Sequence, residues 1–182
     1  SFNNKDFDIK DIDIKIMGWL MTDGYIQNDN IKITQSKPKI IKKITLALDM
    51  AGVPYFKTTR KRKPPTISGM QVVKAMEETT IGIHRRYSRG VLALMGETKK
   101  ELPKWLYQLS DRQFDIFLGA VIDGDGTKIS RMRNCSCVYQ KDKAFIDGLQ
   151  ALCIMHGYRA SIYKYKSRSG NVQHRLNITH VS

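Results

Sequence analysis

The sequence predicts an α+β protein of two pseudo-symmetric αββαββ-like halves, with one motif helix from each half packed at the centre and antiparallel sheets around them. Two apolar, helix-length runs, Ile16 to Gly24 (IMGWLMTDG) and Leu118 to Gly126 (LGAVIDGDG), each end in Asp-Gly. Downstream of each run the same pattern returns at a constant offset of 105 residues, from Gln35 and Gln140 to Gly52 and Gly157. A repeat of this length is too long for a solenoid unit and reads instead as two halves of one domain.

The elements follow in order. Asp11 or Asp13 can cap the first motif helix, and Gly24, just past the final Asp, stands where a left-handed C′ residue belongs. Tyr25 to Thr34 is an extended polar stretch that ends at Gln35. Ile40, Ile44, Ala47 and Leu48 then recur at i, i+4, i+7, i+8, one face of a helix, and Gly52 is its C-cap glycine. Val53 to Lys63 reads as a strand dense in Lys and Arg, residues 64–79 stay open between helix and strand, and Thr80 to Arg85 reads as a later strand. A helix over Tyr87 to Met95 closes the first half (1–95), and 96–110 is a linker.

The second half (111–182) opens on a capping box, Ser110 with Gln113. Its motif helix ends at Gly126, again a candidate left-handed position. Thr127 to Tyr139 is extended and ends at Gln140; Phe145, Leu149, Leu152 and Cys153 repeat the helical face, and Gly157 the cap. Asp23 and Asp125 are 102 residues apart, so the strand region here is three residues longer, an ordinary hairpin-loop difference. Tyr158 to Arg168 and Arg175 to Val181 are the remaining strands. The repeat stops at Ser182, where a counterpart of the 87–95 helix would begin, which leaves a longer native chain or a half without that element.

Composition narrows the chemistry. The formal net charge of +14 calls for a polyanionic partner, nucleic acid or an anionic membrane. No apolar run approaches the roughly 20 residues that span a bilayer, no basic amphipathic helix carries aromatic residues, and no secretory signal is present, so an intracellular protein with no membrane partner is expected. Three cysteines do not make a disulfide framework. Cys135-Ser-Cys137 lacks the second pair that a zinc site needs, and strand thiols are the simpler reading.

Each motif brings one carboxylate, Asp23 or Asp125, to the C-terminal end of an apolar helix, where the macrodipole favours a cation. Aligned on the terminal glycines, Gly18 matches Ala120 and Thr22 matches Gly124. Small residues four apart share a helical face, so these four are the expected helix interface, and close packing there would bring the two carboxylates together. Asp-Gly alone is most often a hairpin turn. Two copies with matched glutamine, helix face and glycine argue for a site. Oxygen ligands without a His/Cys cluster favour Mg²⁺, with Mn²⁺ as a substitute.

These residues resemble the LAGLIDADG homing endonucleases, in their single-chain, two-motif form. Leu118 to Gly126 is close to the motif that names the family, and Ile16 to Gly24 is a looser copy with Trp19 and with Met21 opposite Asp123. The resemblance covers nearly the whole chain. It implies that Asp23 and Asp125 bind divalent metal and that Gln35, in Ile33-Thr34-Gln35, and Gln140, in Val138-Tyr139-Gln140, lie near the reacting water. Lys128 is the basic residue that would line the site. The second motif departs in having Gly119 and Ala120 where the family has its glycine one place later.

The resemblance further implies site-specific hydrolysis of double-stranded DNA by a monomer, with the sheets forming a DNA-binding saddle in the major groove. Alternation then offers Tyr25, Gln27, Asn30, Lys32 and Thr34, with Lys57, Thr59 and Lys61, in the first half. In the second half it offers Ser130, Arg131, Arg133 and Ser136, with Tyr163, Tyr165, Arg168, Gln173 and Arg175. A register error of one residue would invert any of these faces. The unequal halves point to a target that is non-palindromic or only partly palindromic. An intron or intein origin fits the family, although nothing here resembles a splicing domain. The rival reading is a nucleic-acid-binding relative that does not cut, an intron maturase or a transcriptional regulator; both carboxylates are present, which favours the nuclease.

Overall fold

The structure is a computed structural model of the 182-residue chain and describes residues 5–62, 66–67, 70–71, 76–95, 101–128, 135–166 and 172–180. It is α+β, with two four-stranded antiparallel sheets. Contacts divide the chain into two compact units, Asp23–Gly90 and Ser1–Thr22 with Val91–Ser182. No helix among the described residues is long and apolar enough to cross a membrane.

In the unit Asp23–Gly90, β1 (Gly24–Gln27) and β2 (Asn30–Gln35) form a hairpin. Its two-residue turn, Asn28 and Asp29, has φ of 52° and 59°, the double left-handed turn that suits the twist of a hairpin. The sheet order is β1-β2-β6-β3, with β3 at Tyr55–Arg62 and β6 at Met76–Ile83. The stretch left open by the sequence holds a short pair, β4 (Thr66–Ile67) with β5 (Met70–Gln71), and the start of β6. Helix α2 (Pro38–Met50) packs on β2 and buries Ile44 and Leu48 with Ile31, Ile33 and Ile81. It ends as the periodicity predicts. Gly52 has φ +65°, its N–H donates to the Asp49 carbonyl, and the Val53 N–H donates to the Leu48 carbonyl, a Schellman ending with Val53 buried.

Helix α3 (Arg85–Met95) begins two residues before the predicted start, and its first turns belong to this unit. Its Ser88 is fully buried and bonded on both sides. The hydroxyl donates to the Ile83 carbonyl at 3.0 Å and accepts from the Ile31 N–H at 3.0 Å, tying α3 to β6 and β2. Ser88→Ala would leave a buried strand N–H without its acceptor. Such a loss costs about 1–3 kcal/mol, and a fall in the urea midpoint with unchanged m-value is expected; an unchanged midpoint would show that the hydroxyl is dispensable.

In the other unit, α1 (Asp11–Met21) lies against α4 (Asp111–Asp125). Residues 104–108 make a short 3₁₀ turn. The capping box is present: the Ser110 hydroxyl accepts from the Gln113 N–H, and the Gln113 side chain accepts from the Ser110 N–H. The buried Gln113 amide also pairs with the backbone of Phe7, giving and taking one hydrogen bond at 2.9 and 2.8 Å. Arg112 adds exposed ion pairs with Asp6 and Asp11. Those charges are screened by solvent, so the buried Gln113 contact is the firmer anchor for the segment before α1. The second sheet runs β7-β8-β10-β9, the order of the first sheet, with β7 at Gly126–Lys128, β8 at Cys135–Gln140, β9 at Tyr158–Lys166 and β10 at Val172–His180. Helix α5 (Lys143–Met155) packs on it and buries Phe145, Ile146, Leu149, Leu152 and Cys153. Burial pushes the Cys153 thiol up to about 12, which leaves it an inert packing residue at neutral pH. Gly157, with φ +78°, caps α5 as predicted.

Two helix-end expectations are corrected. Neither Asp11 nor Asp13 is the N-cap of α1; Lys10 holds that position with no side-chain bond, and both aspartates lie in the first turn. Neither Gly24 nor Gly126 has positive φ. Gly126 is extended, at φ −102° and ψ 165°, and is a glycine for a different reason. A Cβ there would lie 2.5 Å from the Ile122 Cα and 2.6 Å from its carbonyl oxygen, so the chain leaving α4 has room only for hydrogen.

Candidate functional site

Helix α1 ends at Met21, and Thr22 caps it by donating its hydroxyl to the Gly18 carbonyl at 3.0 Å. Asp23 follows at once and opens the β1–β2 hairpin, where its carbonyl accepts from the Thr34 N–H at 3.1 Å. Its side chain is held by the residue that the repeat singled out. Gln35, 5% exposed, donates Nε2–H to Asp23 Oδ2 at 2.7 Å. The orientation of that amide is fixed, because Gln35 Oε1 accepts from the Ser36 N–H at 2.9 Å and the Lys37 N–H at 3.1 Å. The same pair recurs in the second half. Asp125 is the last residue of α4, and Gln140 donates Nε2–H to its Oδ2. Each glutamine therefore grips the motif carboxylate directly.

A carboxylate at a helix C-terminus sits at the negative end of the macrodipole, so the arrangement is favourable only with donors or a cation nearby. The glutamine amide supplies one donor in each copy. The donor set suits a hard divalent cation, which takes carboxylate oxygens and keeps water or substrate oxygens as its other ligands. Among the described residues no three His, Cys, Asp or Glu cluster to form an all-protein cage.

Gly18 forms the tightest part of the α1–α4 contact. A Cβ added there would be 2.7 Å from the Ala120 Cβ and 3.0 Å from the Phe117 carbonyl oxygen. Gly119, by contrast, has nothing within 4 Å. Ala120 thus fills the contact position in the second motif, and the neighbouring glycine is not required there. Thr22 spends its hydroxyl within α1. Gly124 is half-buried in the last turn of α4.

The strand registers decide which candidates share a face. In the first sheet Tyr25 pairs with Lys32 and Gln27 with Asn30. Burial alternates along β2, with Ile31, Ile33 and Gln35 inside. Tyr25, Gln27, Asn30, Lys32 and Thr34 accordingly share the face away from α2, as expected. The β3 candidates do not join them. Lys57, Thr59 and Lys61 pair with Ile81, Thr79 and Glu77, on the side of the buried Ile33 and Gln35. The residues of β3 on the open face are Phe56, Thr58 and Arg60, joined by Glu78 and Thr80 of β6. The Arg60 guanidinium reaches Glu78 at 2.7 Å, and the hydroxyls of Thr34 and Thr80 are 3.1 Å apart.

In the second sheet Tyr163, Gln173 and Arg175 share the open face, and Tyr165 holds the register position opposite Gln173. Ser136 does not; it pairs with Ile178 and Lys128, on the core side of the sheet. Lys128 ends β7, and its side chain lies outside the described residues, as do Ser130, Arg131, Arg133 and Arg168. The open face also carries Tyr139, Asn177, Thr179 and Arg159, which sequence reasoning passed over. The Arg175 guanidinium lies over the Tyr163 ring, 5.2 Å from its centroid. Burial and the neighbouring Cys137 thiol raise the Tyr139 phenol above its ordinary pKa, partly offset by a hydrogen bond from Arg175 and by its charge.

Two sheets of identical strand order, each following a motif helix and an Asp, at or just past the helix end, that is gripped by a strand-end Gln, define the architecture. The chain is similar to mesophilic variants of the homing endonuclease I-DmoI, at 14% identity and a TM-score of 0.60, over 93% of this chain and 88% of that one. I-DmoI in complex with DNA and Mn gives a TM-score of 0.58 at 14% identity, over 93% and 89%. The N-terminal LAGLIDADG domain of DUF199/WhiA gives 0.60 at 9% identity, over 94% of this chain and 75% of that one. The fold is that of the LAGLIDADG proteins. No family model matches the sequence, and a comparison with curated proteins gives no match.

The repeat gave the matched positions of the carboxylates and glutamines by spacing, and the family resemblance put the glutamines at the site. The open-face residues of β3 needed the pairing partners, since exposed residues occupy both faces of that strand, whereas on β10 the alternation of His174, Leu176 and Ile178 with Arg175, Asn177 and Thr179 marks the inside.

Proposed function

We propose that this chain is a site-specific endonuclease for double-stranded DNA, acting as a monomer of the homing endonuclease type. Asp23 and Asp125 would hold divalent cation, Mg²⁺ with Mn²⁺ as a substitute. The observation that carries the reading is the duplicated Asp–Gln pair at the end of each motif, Gln35 on Asp23 and Gln140 on Asp125. A strand-end glutamine needs no carboxylate partner for stability alone, and two copies of the same arrangement on half-buried aspartates point to a shared chemical duty.

A bound divalent ion would lower the pKa of an attacking water and offset charge on the leaving 3′ oxygen. The residues of the chain do the rest. Gln35 and Gln140 fix the orientation of the carboxylates, and Lys128 is the candidate for offsetting phosphate charge. The open sheet faces, rich in Lys, Arg, Tyr and Thr, would contact base edges and backbone. The net charge of +14 supplies the long-range attraction.

The test is incubation with a randomised duplex library and Mg²⁺, followed by sequencing of the cut ends. Recurrent cleavage at one long motif is expected. Binding measured alongside should weaken steeply with salt, log K falling by about 0.9 per neutralised phosphate for each unit of log salt. Selective binding with no cutting would establish the rival reading, a nucleic-acid-binding protein on this fold. A flat salt response would contradict both.

A further inference from the structure

Resting on that DNA-binding reading, we propose that Arg175 reads a guanine in the major groove, and that the two sheets read their parts of the target by different chemistry. The evidence is a matched row across the open face of each sheet. In the first sheet the row is Thr34, Thr80 and Thr58. In the second, the residues at the same register are Tyr139, Arg175 and Tyr163. Thr34 and Tyr139 each immediately precede the glutamine that grips the motif carboxylate, so the two rows hold equivalent places.

The threonine row is small and uncharged. Its hydroxyls are partly spent on one another, with Thr34 and Thr80 3.1 Å apart, and its methyls suit the methyl of thymine. The other row places one cation between two phenols. Tyr163, 49% exposed, offers its ring face to the Arg175 guanidinium at 5.2 Å. Tyr139 flanks it from the other neighbouring strand. Stacking on Tyr163 holds the planar guanidinium without using its in-plane donors, and a hydrogen bond given to the Tyr139 hydroxyl fixes its rotation. Neither phenol is an anionic partner, and no ion pair of Arg175 occurs among the described salt bridges, in contrast to Arg60, which is bound to Glu78. Arg175 Nε is buried, so the donors that can meet a base are those on the terminal guanidinium nitrogens. A pre-oriented fork with donors to give matches O6 and N7 of guanine, the acceptor pair that only guanine presents in the major groove.

The experiment is selection of bound sequences from a randomised duplex library, without divalent metal so that no site is cut, for the wild type, Arg175→Ala and Arg175→Gln. The wild type is expected to select a motif containing an invariant G·C pair that Arg175→Ala relaxes, losing roughly 5- to 150-fold of preference at that position alone. Arg175→Gln is expected to move the preference towards adenine, whose N6 and N7 a glutamine amide can meet. A loss of affinity spread evenly over all sequences would make Arg175 a phosphate contact and overturn the assignment. An unchanged motif in both variants would overturn it equally. Failure of the wild type to select any sequence would instead refute the sequence-specific DNA-binding reading on which the inference rests.

Discussion

Asp23→Asn and Asp125→Asn are each expected to abolish cleavage of both strands while leaving DNA binding largely intact. Asparagine keeps the size and shape of the side chain, and its carbonyl oxygen can still accept from the Gln35 or Gln140 amide that grips Oδ2 in the native pair. The local fold therefore survives, and what is removed is a formal charge. If the two aspartates hold a divalent ion as proposed, losing one anionic ligand would forfeit several kcal/mol of transition-state stabilisation, on the order of 10³-fold or more in rate. Binding, which draws on a net charge of +14 spread over the chain, gains one unit of positive charge and is not weakened. Single-turnover cleavage and gel-shift titrations on the selected target separate the two effects. A variant that cuts near the wild-type rate would end the metal assignment for that residue.

The parts of this site that were legible in the sequence are those set by local chain geometry. Gly52 and Gly157 are obligatory where a helix must end in the left-handed region, and the i, i+4, i+7, i+8 faces of α2 and α5 follow from a fixed helical period. Ser110 and Gln113 declare their capping box by spacing alone. Gln35 and Gln140 stood out because one offset recurred. The parts that were not legible depend on a partner strand. Lys57, Thr59 and Lys61 alternate with Phe56, Thr58 and Arg60; both sets are exposed and the one apolar residue, Phe56, is on the open face, so only pairing with Ile81 and Thr80 tells them apart. Ser136 failed for the same reason, its neighbours Cys135 and Cys137 giving no apolar alternation to follow. Gly126 shows a different limit. The sequence offers positive φ as the usual reason for a glycine after a helix, whereas the reason here is a carbonyl 2.6 Å from where a Cβ would be.

Gly18→Leu is expected to destabilise the protein by about 1–3 kcal/mol or more through overpacking. The contact leaves no space even for a methyl group, since a Cβ on residue 18 would meet the Ala120 Cβ at 2.7 Å and the Phe117 carbonyl oxygen at 3.0 Å. One of those neighbours is a side chain and can be removed; the other is backbone and cannot. Gly18→Ala alone should therefore be destabilising, and Gly18→Ala combined with Ala120→Gly should recover part of the loss, because the swap clears the 2.7 Å contact and leaves the 3.0 Å one. The remaining deficit reports the backbone term. A double-mutant cycle by urea unfolding measures it, with a coupling energy of roughly 0.5–3 kcal/mol expected for residues in direct contact. Gly119→Ala is the control, since a Cβ there meets nothing within 4 Å and helix propensity alone should make it neutral or slightly stabilising. Additive effects of the Gly18 and Ala120 substitutions would mean that the two motif helices do not pack through these residues, and the small-residue match between the motifs would lose its structural reason.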